Sequence, residues 1–192
     1  MVKSPSPPHE TQTPSEWVVR WSHLISPQST VLDLACGHGR HAQWFAQRGC
    51  QVLAVDRNEE ALTHIEQSQN PNIKTRCLDL ESGTWPLSGM HFDALVVTNY
   101  LCRPLWRDLL ECIRPSGWIL YETFSAGNEK FGSPKRAEFL LTAGELLRVF
   151  KDFRIICYEE GQLDCPKRVI QRIVAQKCEI SGLELSASPL KS

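Results

Sequence analysis

Two short stretches of the 192-residue sequence carry the residue types that bind a nucleoside cofactor. Residues 30–41 form an apolar run that is interrupted by Asp33 and ends at Gly37 and Gly39. A strand that ends in a glycine turn and continues as a helix lets a ligand approach bare backbone. A second apolar run ends at Asp56, whose carboxylate can accept both hydroxyls of a ribose. The spacing therefore predicts a nucleoside-cofactor site at the ends of these two strands.

Two types of cofactor fit the glycine turn. The pattern Gly-x-Gly-x-x-Ala at residues 37–42 satisfies the dinucleotide-binding fingerprint, which indicates an NAD(P)-dependent oxidoreductase. In that fingerprint, however, the first glycine follows the apolar strand directly, and the helix N-terminus faces a pyrophosphate. Here Asp33 lies within the strand, and two more residues, Ala35 and Cys36, precede the first glycine. The sequence departs from the fingerprint, and the oxidoreductase is kept as the alternative.

The composition limits the remaining classes of function. The formal net charge is −1, so the chain lacks the broad basic field expected of a nucleic-acid-binding protein. The eight cysteines are scattered singly without zinc-finger spacing, which is typical of reduced thiols in a cytosolic protein. No signal peptide is seen, and no apolar stretch approaches membrane-spanning length. We therefore expect a cytoplasmic monomer or homodimer with no metal site, nucleic-acid partner or membrane partner.

The sequence predicts one domain between two tails. Residues 1–14 are rich in proline and polar residues, which is typical of a disordered segment. Residues 15–178 are long enough to bury a substantial core, and residues 179–192 are expected to form a flexible tail. The first predicted helix is capped by Ser15. Its apolar face has two alternative roles, core packing or a lid over the cofactor, and comprises Trp17, Val18, Trp21, Leu24 and Ile25.

Strands and helices alternate along most of the predicted domain, which indicates a parallel sheet with right-handed crossovers. Two strands at residues 153–159 and 169–178 follow with no helix between them, and we expect them to pair antiparallel through the loop at 161–166. The other predicted elements are a strand from Thr30, a helix over 40–48, a strand over 51–56, a helix capped by Asn58 and ending at 67, strands over 73–78 and 92–97, a helix over 104–113, a strand over 118–124 and a helix from Thr142 to Phe150.

The pattern apolar-Asp-apolar-x-x-Gly-x-Gly at residues 32–39 resembles the first motif of class I S-adenosylmethionine-dependent methyltransferases. Five βα units followed by an antiparallel pair also resemble the sheet of that family. Residues 99–104 and 122–141 are similar to small bacterial methyltransferases of the tellurite-resistance type. The resemblance implies an α/β, Rossmann-like fold with a seven-stranded, mostly parallel sheet, an antiparallel last strand and helices on both faces. It also implies S-adenosylmethionine as cofactor and S-adenosylhomocysteine as product.

The resemblance assigns roles to residues that follow the first four strands. Asp56 is expected to bind the ribose, and Asp79 to accept a hydrogen bond from the adenine amino group. The glycine loop and Asp33 are expected near the methionine portion, and the backbone at Asn99 is expected to hold its amino group. The predicted cofactor-binding residues are Asp33, Ala35, Cys36, Gly37, Gly39, Asp56, Arg57, Asp79, Leu80 and Asn99.

The residues that meet the methyl acceptor are less sharply indicated. Methyl transfer from a sulfonium is an in-line displacement that often needs no strong acid or base. If the acceptor must lose a proton, Tyr100, Glu122 and Glu129 are the candidate bases. Basic residues over the site would bind a small anionic acceptor or, equally, represent ordinary loop charge. The candidates for substrate binding are Tyr100, Arg103 and Arg136, with Lys130 and Lys135 nearby.

Three functions therefore follow from the sequence. The first is S-adenosylmethionine-dependent methyl transfer to a small molecule. The alternatives are an NAD(P)-dependent oxidoreductase and a non-catalytic S-adenosylmethionine-binding partner subunit. In each case the loop at residues 125–138, which contains two glycines, is long enough to close over the cofactor site as a lid.

Overall fold

The apolar runs of the sequence form the centre of a seven-stranded sheet within residues 13–179, the part of the chain that this computed structural model describes. Valine, leucine and alanine side chains of the central strands are fully buried on both faces, as in parallel sheets covered by helices. The strands are β1 (Thr30–Leu34), β2 (Gln51–Asp56), β3 (Ile73–Cys77), β4 (Phe92–Thr98), β5 (Ile113–Phe124), β6 (Phe153–Asp164) and β7 (Lys167–Lys177).

The strand order is β3-β2-β1-β4-β5-β7-β6. All pairs from β3 to β5 are parallel, whereas β7 lies antiparallel between β5 and β6. This arrangement confirms the predicted sheet, including the reversed last strand beside β5. The tails predicted at residues 1–14 and 179–192 lie almost wholly outside the described residues.

Five α-helices within the described residues cover the two faces of the sheet. On one face, helices α1 to α3 pack Trp17, Phe45 and Ile65 against the sheet. On the other face, Leu109 of α4 and Leu146 of α5 join a second cluster. The helices are α1 (Glu16–Trp21), α2 (Arg40–Gln47), α3 (Glu59–Gln67), α4 (Trp106–Glu111) and α5 (Glu145–Val149). No helix within residues 13–179 is long and apolar enough to cross a membrane.

The aromatic face of α1 belongs to the core. Trp17 is 1% exposed, and its indole Nε1 donates to the carbonyl oxygen of Ile173 at 3.4 Å. The guanidinium of Arg172 lies 4.7 Å from the centre of the Trp17 ring. Trp21 packs against the same cluster at 5.8 Å from Trp17. These contacts decide the open alternative in favour of core packing.

Several predicted boundaries were wrong in the second half of the chain. The β6–β7 hairpin continues through residues predicted as loop, because Gln162 pairs with Val169 and Asp164 with Lys167. Strand β5 begins at Ile113 rather than at residue 118, with a register irregularity opposite β4. These segments are polar and exposed, so their strand pairing leaves little mark on hydrophobic periodicity.

The predicted cap of α5 was also wrong. Helix α5 begins at Glu145, after Gly144 in the left-handed region at φ 63°. Instead of capping the helix, Thr142 donates from its backbone N–H and its hydroxyl to the Glu145 carboxylate, at 2.8 and 2.9 Å. The carboxylate therefore ties the segment before the helix to its first turn.

Candidate cofactor and acceptor site

A cavity opens where the sheet reverses its winding, outside the carboxyl ends of β1 and β4. Its volume is about 1350 Å³, which exceeds the roughly 300–1,000 Å³ typical of a pocket for one small ligand. Strand ends, the segment at residues 13–16, the loop after β5 and the β6–β7 hairpin line it. The cavity therefore has room for a nucleoside cofactor together with a small second molecule.

The backbone turns sharply at both strand ends that flank the switch point. Ala35 after β1 has φ 52°, and Asn99 after β4 has φ 57°, although neither is glycine. A residue other than glycine adopts the left-handed conformation at a cost in free energy. Residues in this conformation are often found at functional sites. Hydrogen bonds support both turns: Cys36 N donates to Val55 O at 3.0 Å, and Asn99 N donates to Glu122 O at 2.9 Å. Ala35 and Asn99 both line the cavity.

The two glycines of the turn have different surroundings. A Cβ atom on Gly39 would lie 2.5 Å from Cδ1 of Ile65 in α3, so that glycine allows the turn to pack on the helix. A Cβ atom on Gly37 would meet nothing within 4 Å and would project into open space. Both residues have positive φ, which is 54° at Gly37 and 74° at Gly39. Gly37 thus leaves bare backbone at the point where a ligand could approach.

Asp56 connects the glycine turn to the end of β2. Its Oδ2 accepts from Gly37 N at 2.8 Å, and its Oδ1 accepts from Asn58 N at 2.9 Å. Each carboxylate oxygen keeps further acceptor capacity for a ligand. The neighbouring strand end presents Asp79, whose Oδ1 accepts from Glu81 N at 3.0 Å, and the buried side chain of Leu80.

Six of the ten predicted cofactor residues line the cavity, and the other four do not. Those in the wall are Ala35, Asp56, Arg57, Asp79, Leu80 and Asn99. Cys36, Gly37 and Gly39 belong to the turn itself. Asp33 lies beneath the turn, 1% exposed, where the backbone N–H of Ala42 donates to it. Asp33 therefore supports the turn from beneath, and its contribution to cofactor binding stays a prediction.

Burial changes the chemistry of Asp33. Burial, with a smaller contribution from nearby Asp56, raises the pKa of the carboxyl to about 8, although the Ala42 N–H and Arg40 act in the opposite direction. Oδ2 has no hydrogen-bond partner among the described residues. A carboxyl with this pKa is mostly protonated at neutral pH.

Of the residues predicted to bind the acceptor, Tyr100 lines the cavity but the two arginines do not. Arg103 forms a fork with Glu145, with Nε to Oε1 at 2.7 Å and Nη2 to Oε2 at 2.9 Å. It also donates to the carbonyl oxygens of Glu138 and Leu140. These partners occupy its guanidinium and hold the loop after β5 against α5, so Arg103 lies away from the other predicted acceptor residue, Tyr100.

Arg136 lies outside the cavity wall for a different reason. Its side chain is 72% exposed, pairs with Glu138 and lies over the Phe139 ring at 5.2 Å. It therefore sits on the outer surface of the loop, and its charge is ordinary loop charge. Lys130 and Lys135, which were predicted to lie near the acceptor, do not line the cavity either.

The three candidate bases differ in position. Tyr100 donates to Glu81 Oε1 at 3.3 Å, and burial raises the pKa of its phenol. Glu122 lines the cavity, is 1% exposed and accepts from the Ser15 hydroxyl at 2.9 Å. Glu129 is exposed, and its Oε2 accepts from Gly127 N at 2.8 Å. Glu129 therefore caps its own turn and, unlike Tyr100 and Glu122, does not line the cavity.

Residues 31–117 match the methyltransferase-domain family. The chain is 25% identical over 151 residues to the "Probable S-adenosyl-L-methionine-dependent methyltransferase TehB" of Haemophilus influenzae, covering 75% of this chain and 52% of that protein. It is 26% identical over 125 residues to a ubiquinone biosynthesis O-methyltransferase of Albidiferax ferrireducens, covering 60% and 48%. The chain thus spans about half the length of the curated relatives it matches.

Solved structures show the same fold. The crystal structure of TehB from Haemophilus influenzae has a TM-score of 0.71 at 25% identity, covering 83% of this chain and 61% of that chain. Residues 31–117, from β1 into β5, therefore match a methyltransferase domain in sequence, and the chain shares the fold of that class. The N-methyltransferase NodS from Bradyrhizobium japonicum, at 13% identity, supports the fold with a TM-score of 0.68, covering 84% and 93%. The predicted family and fold are confirmed.

The structure also places residues at the cavity, or directly behind its wall, that the sequence did not indicate. His41 lies behind Ser15 of the wall and is 1% exposed; its Nε2 accepts from Ser15 N at 3.1 Å, and burial lowers its pKa to about 3. Four cationic side chains also line the wall: Arg40, Lys167, Arg168 and Arg172. The register of β7 against β5 could have revealed Arg172, which pairs directly with Glu122, and a correct start of β7 would have added Arg168 on the same face.

Among the described residues of the domain, no group of three or more His, Cys, Asp or Glu side chains is arranged to hold a metal ion.

Proposed function

We propose that this chain transfers a methyl group from S-adenosylmethionine to a small-molecule acceptor and releases S-adenosylhomocysteine. The observation that carries the proposal is the pair of carboxylates, Asp56 and Asp79, at neighbouring strand ends in one half of the cavity. The names of the relatives, which describe methyltransferases with TehB among them, support it. The glycine turn that an oxidoreductase would use lies over the buried carboxyl of Asp33.

The residues of the cavity fit this cofactor. Asp56 would accept the ribose hydroxyls, and Asp79 would accept a hydrogen from the adenine amino group while Leu80 packs on the ring. The open space over Gly37 and the backbone at Asn99 would take the methionine portion. When bound, S-adenosylmethionine supplies a methyl group that is already activated by its sulfonium.

The remaining work of the chain is alignment and exclusion of water. Both base candidates that line the cavity already have other roles in the fold. Burial raises the pKa of Tyr100, so its phenol holds its proton. Glu122 is engaged by Ser15 at 2.9 Å and by Arg172 at 3.4 Å. We therefore propose transfer by positioning, with no general base from this chain.

We place the reaction in the cytoplasm and on small molecules rather than nucleic acid, with the chain acting as a monomer or homodimer. All eight cysteines are free, as in proteins of reducing compartments. The net charge of −1 supports an acceptor other than nucleic acid.

The test is a thermal-shift comparison of S-adenosylhomocysteine with NADH. A ligand that binds only the folded state raises the melting temperature, and we expect S-adenosylhomocysteine alone to do so. Stabilisation by NADH and not by S-adenosylhomocysteine would favour the oxidoreductase. A screen of methyl acceptors then follows, with S-adenosylhomocysteine formation as readout. Cofactor binding without turnover on any acceptor would favour the non-catalytic partner subunit.

A further inference from the structure

The half of the cavity away from Asp56 and Asp79 has a different charge. It lies between the last residues of β5, the first residues of β7, the segment at residues 13–16 and the loop after β5. Four cations, Arg40, Lys167, Arg168 and Arg172, line this half against three carboxylates, Glu16, Glu122 and Asp164. A concave wall with an excess of cations favours an anionic ligand.

The cations differ in how far the protein itself already uses them. Arg172 donates from Nε to Glu159 at 2.8 Å, pairs with Glu122 at 3.4 Å and covers the ring of Trp17. Arg168 has one ion pair, from Nη2 to Glu122 Oε1 at 3.7 Å, and that oxygen already accepts from Ser15. Nε of Arg168 has no hydrogen-bond partner among the described residues. Arg168 thus retains capacity for a second anion.

Aromatic side chains line the same half of the cavity. Phe124 lies at the end of β5, and Phe131 and Phe139 come from the following loop. Phe131 and Phe139 are 38% and 37% exposed and lie together with Phe124 in a concave wall, and apolar and aromatic side chains grouped in a cavity are typical of a ligand site. Nζ of Lys167 lies 4.9 Å from the centre of the Phe131 ring, so a cation and an apolar surface adjoin.

We propose that the methyl acceptor is an aromatic carboxylate, whose carboxylate pairs with Arg168 and Lys167 and whose ring packs among Phe124, Phe131 and Phe139. A separate hydroxyl or amino group of the acceptor would take the methyl group and release its proton to solvent as S-adenosylhomocysteine leaves, so benzoate and phenylacetate serve only as binding probes. This inference rests on the proposed function and names its substrate class. A guanidinium binds a carboxylate with two parallel hydrogen bonds, whereas a neutral acceptor leaves Arg168 without a second partner. An inorganic oxyanion would use the cations but leave the aromatic rings exposed.

The experiment is isothermal titration of the wild-type chain saturated with S-adenosylhomocysteine. The probes are benzoate, phenylacetate and 4-hydroxybenzoate, each paired with its neutral amide, and selenite as the inorganic oxyanion. We expect the carboxylates to bind about tenfold or more tightly than their amides, because a hydrogen-bonded charge pair contributes that much. Selenite should bind more weakly than the aromatic carboxylates.

Three variants locate the effect. Arg168→Gln should reduce the preference for carboxylate over amide to about twofold or less. Phe131→Ala should weaken each carboxylate and its amide alike. Arg154→Gln removes an exposed arginine near the other end of the same hairpin, outside the cavity wall, and should change neither. Retained stabilisation by S-adenosylhomocysteine shows that each variant is folded.

The possible failures are distinguishable. If S-adenosylhomocysteine does not bind the wild type, the proposed function itself fails. If it binds, the inference is overturned by any of four results: no carboxylate binds, amides bind equally well, Arg168→Gln keeps the full preference, or selenite binds as tightly as the aromatic carboxylates.

Discussion

The two halves of the cavity are built in different ways. The half assigned to the cofactor comes from strand ends that follow one another along the chain, at Ala35, Asp56 and Asp79. The other half combines residues 13–16, the loop after β5 and the β6–β7 hairpin, which are far apart in sequence. Local patterns describe the first half well, whereas the second half exists only once distant segments have packed together.

The halves also differ in electrostatics. Asp56, Asp79 and Glu81 line the cofactor half with a single cation, Arg57, while cations exceed carboxylates in the other half. Carboxylates suit the hydroxyl and amino donors of a nucleoside, and guanidinium groups suit an anion. The contrast assigns one half to each of two ligands, and the following experiments test that division.

The largest expected effect is at Asp56. Asp56→Ala removes the carboxylate proposed for the ribose and releases the N–H groups of Gly37 and Asn58. We expect affinity for S-adenosylhomocysteine to fall by about 100-fold or more, measured by isothermal titration. Glu59→Gln, an acid in the first turn of α3, is the control and should bind normally. Unchanged affinity in Asp56→Ala would remove the cofactor from this half.

A variant of Arg103 tests whether this residue holds the loop after β5 in place or binds the acceptor. Arg103→Ala leaves the carboxylate of Glu145, 11% exposed, without its ion-pair partner. Breaking such a partly buried pair should cost about 2–3 kcal/mol of unfolding free energy in urea titrations. Arg107→Ala breaks an exposed pair with Glu111 and should cost about 0.5 kcal/mol or less. Full stability of Arg103→Ala, with lost acceptor affinity, would restore Arg103 to the site.

The two glycines of the turn separate packing from binding. Gly39→Ala should destabilise the fold by about 1–2 kcal/mol or more, because positive φ and contact with Ile65 add together. Gly37→Ala has only the backbone strain, but its methyl group would enter the space proposed for the methionine portion. We therefore expect it to lose more cofactor affinity than stability, by urea titration and calorimetry. Equal losses of stability in both variants would contradict this distinction.

The pKa of Asp33 predicts a dependence of stability on pH. The unfolded carboxyl loses its proton near its ordinary pKa of 3.8, whereas the folded one keeps it until about 8. Stability should therefore fall as pH rises from about 4 to about 8, by at most about 1.4 kcal/mol per pH unit from this group. Asp33→Asn has no such proton, and its unfolding free energy should fall less steeply from pH 5 to 8. Parallel curves for the two proteins would refute the pKa shift.

Most elements of the first half of the chain could be predicted because their signals are local. Asn58 caps α3 as expected, accepting from Glu60 N and Ala61 N, and β2 ends at Asp56. In the second half, periodicity was weaker. The hairpin is partly exposed along its length, and α5 is five residues long. Neither provides enough apolar repeats to define its limits.

The sequence by itself determined the parallel βα units, the glycine turn and the carboxylate at Asp56, because glycine geometry and apolar spacing act over a few residues. The tertiary structure decided which charges face the cavity. Arg103 is occupied by Glu145, 42 positions away, and Ser15 reaches Glu122 across 107 positions. Arg168 enters the wall through the pairing of β7. A buried charged side chain is stable only beside a partner that pairs with it. Partners that are distant in sequence come together only after the chain has folded.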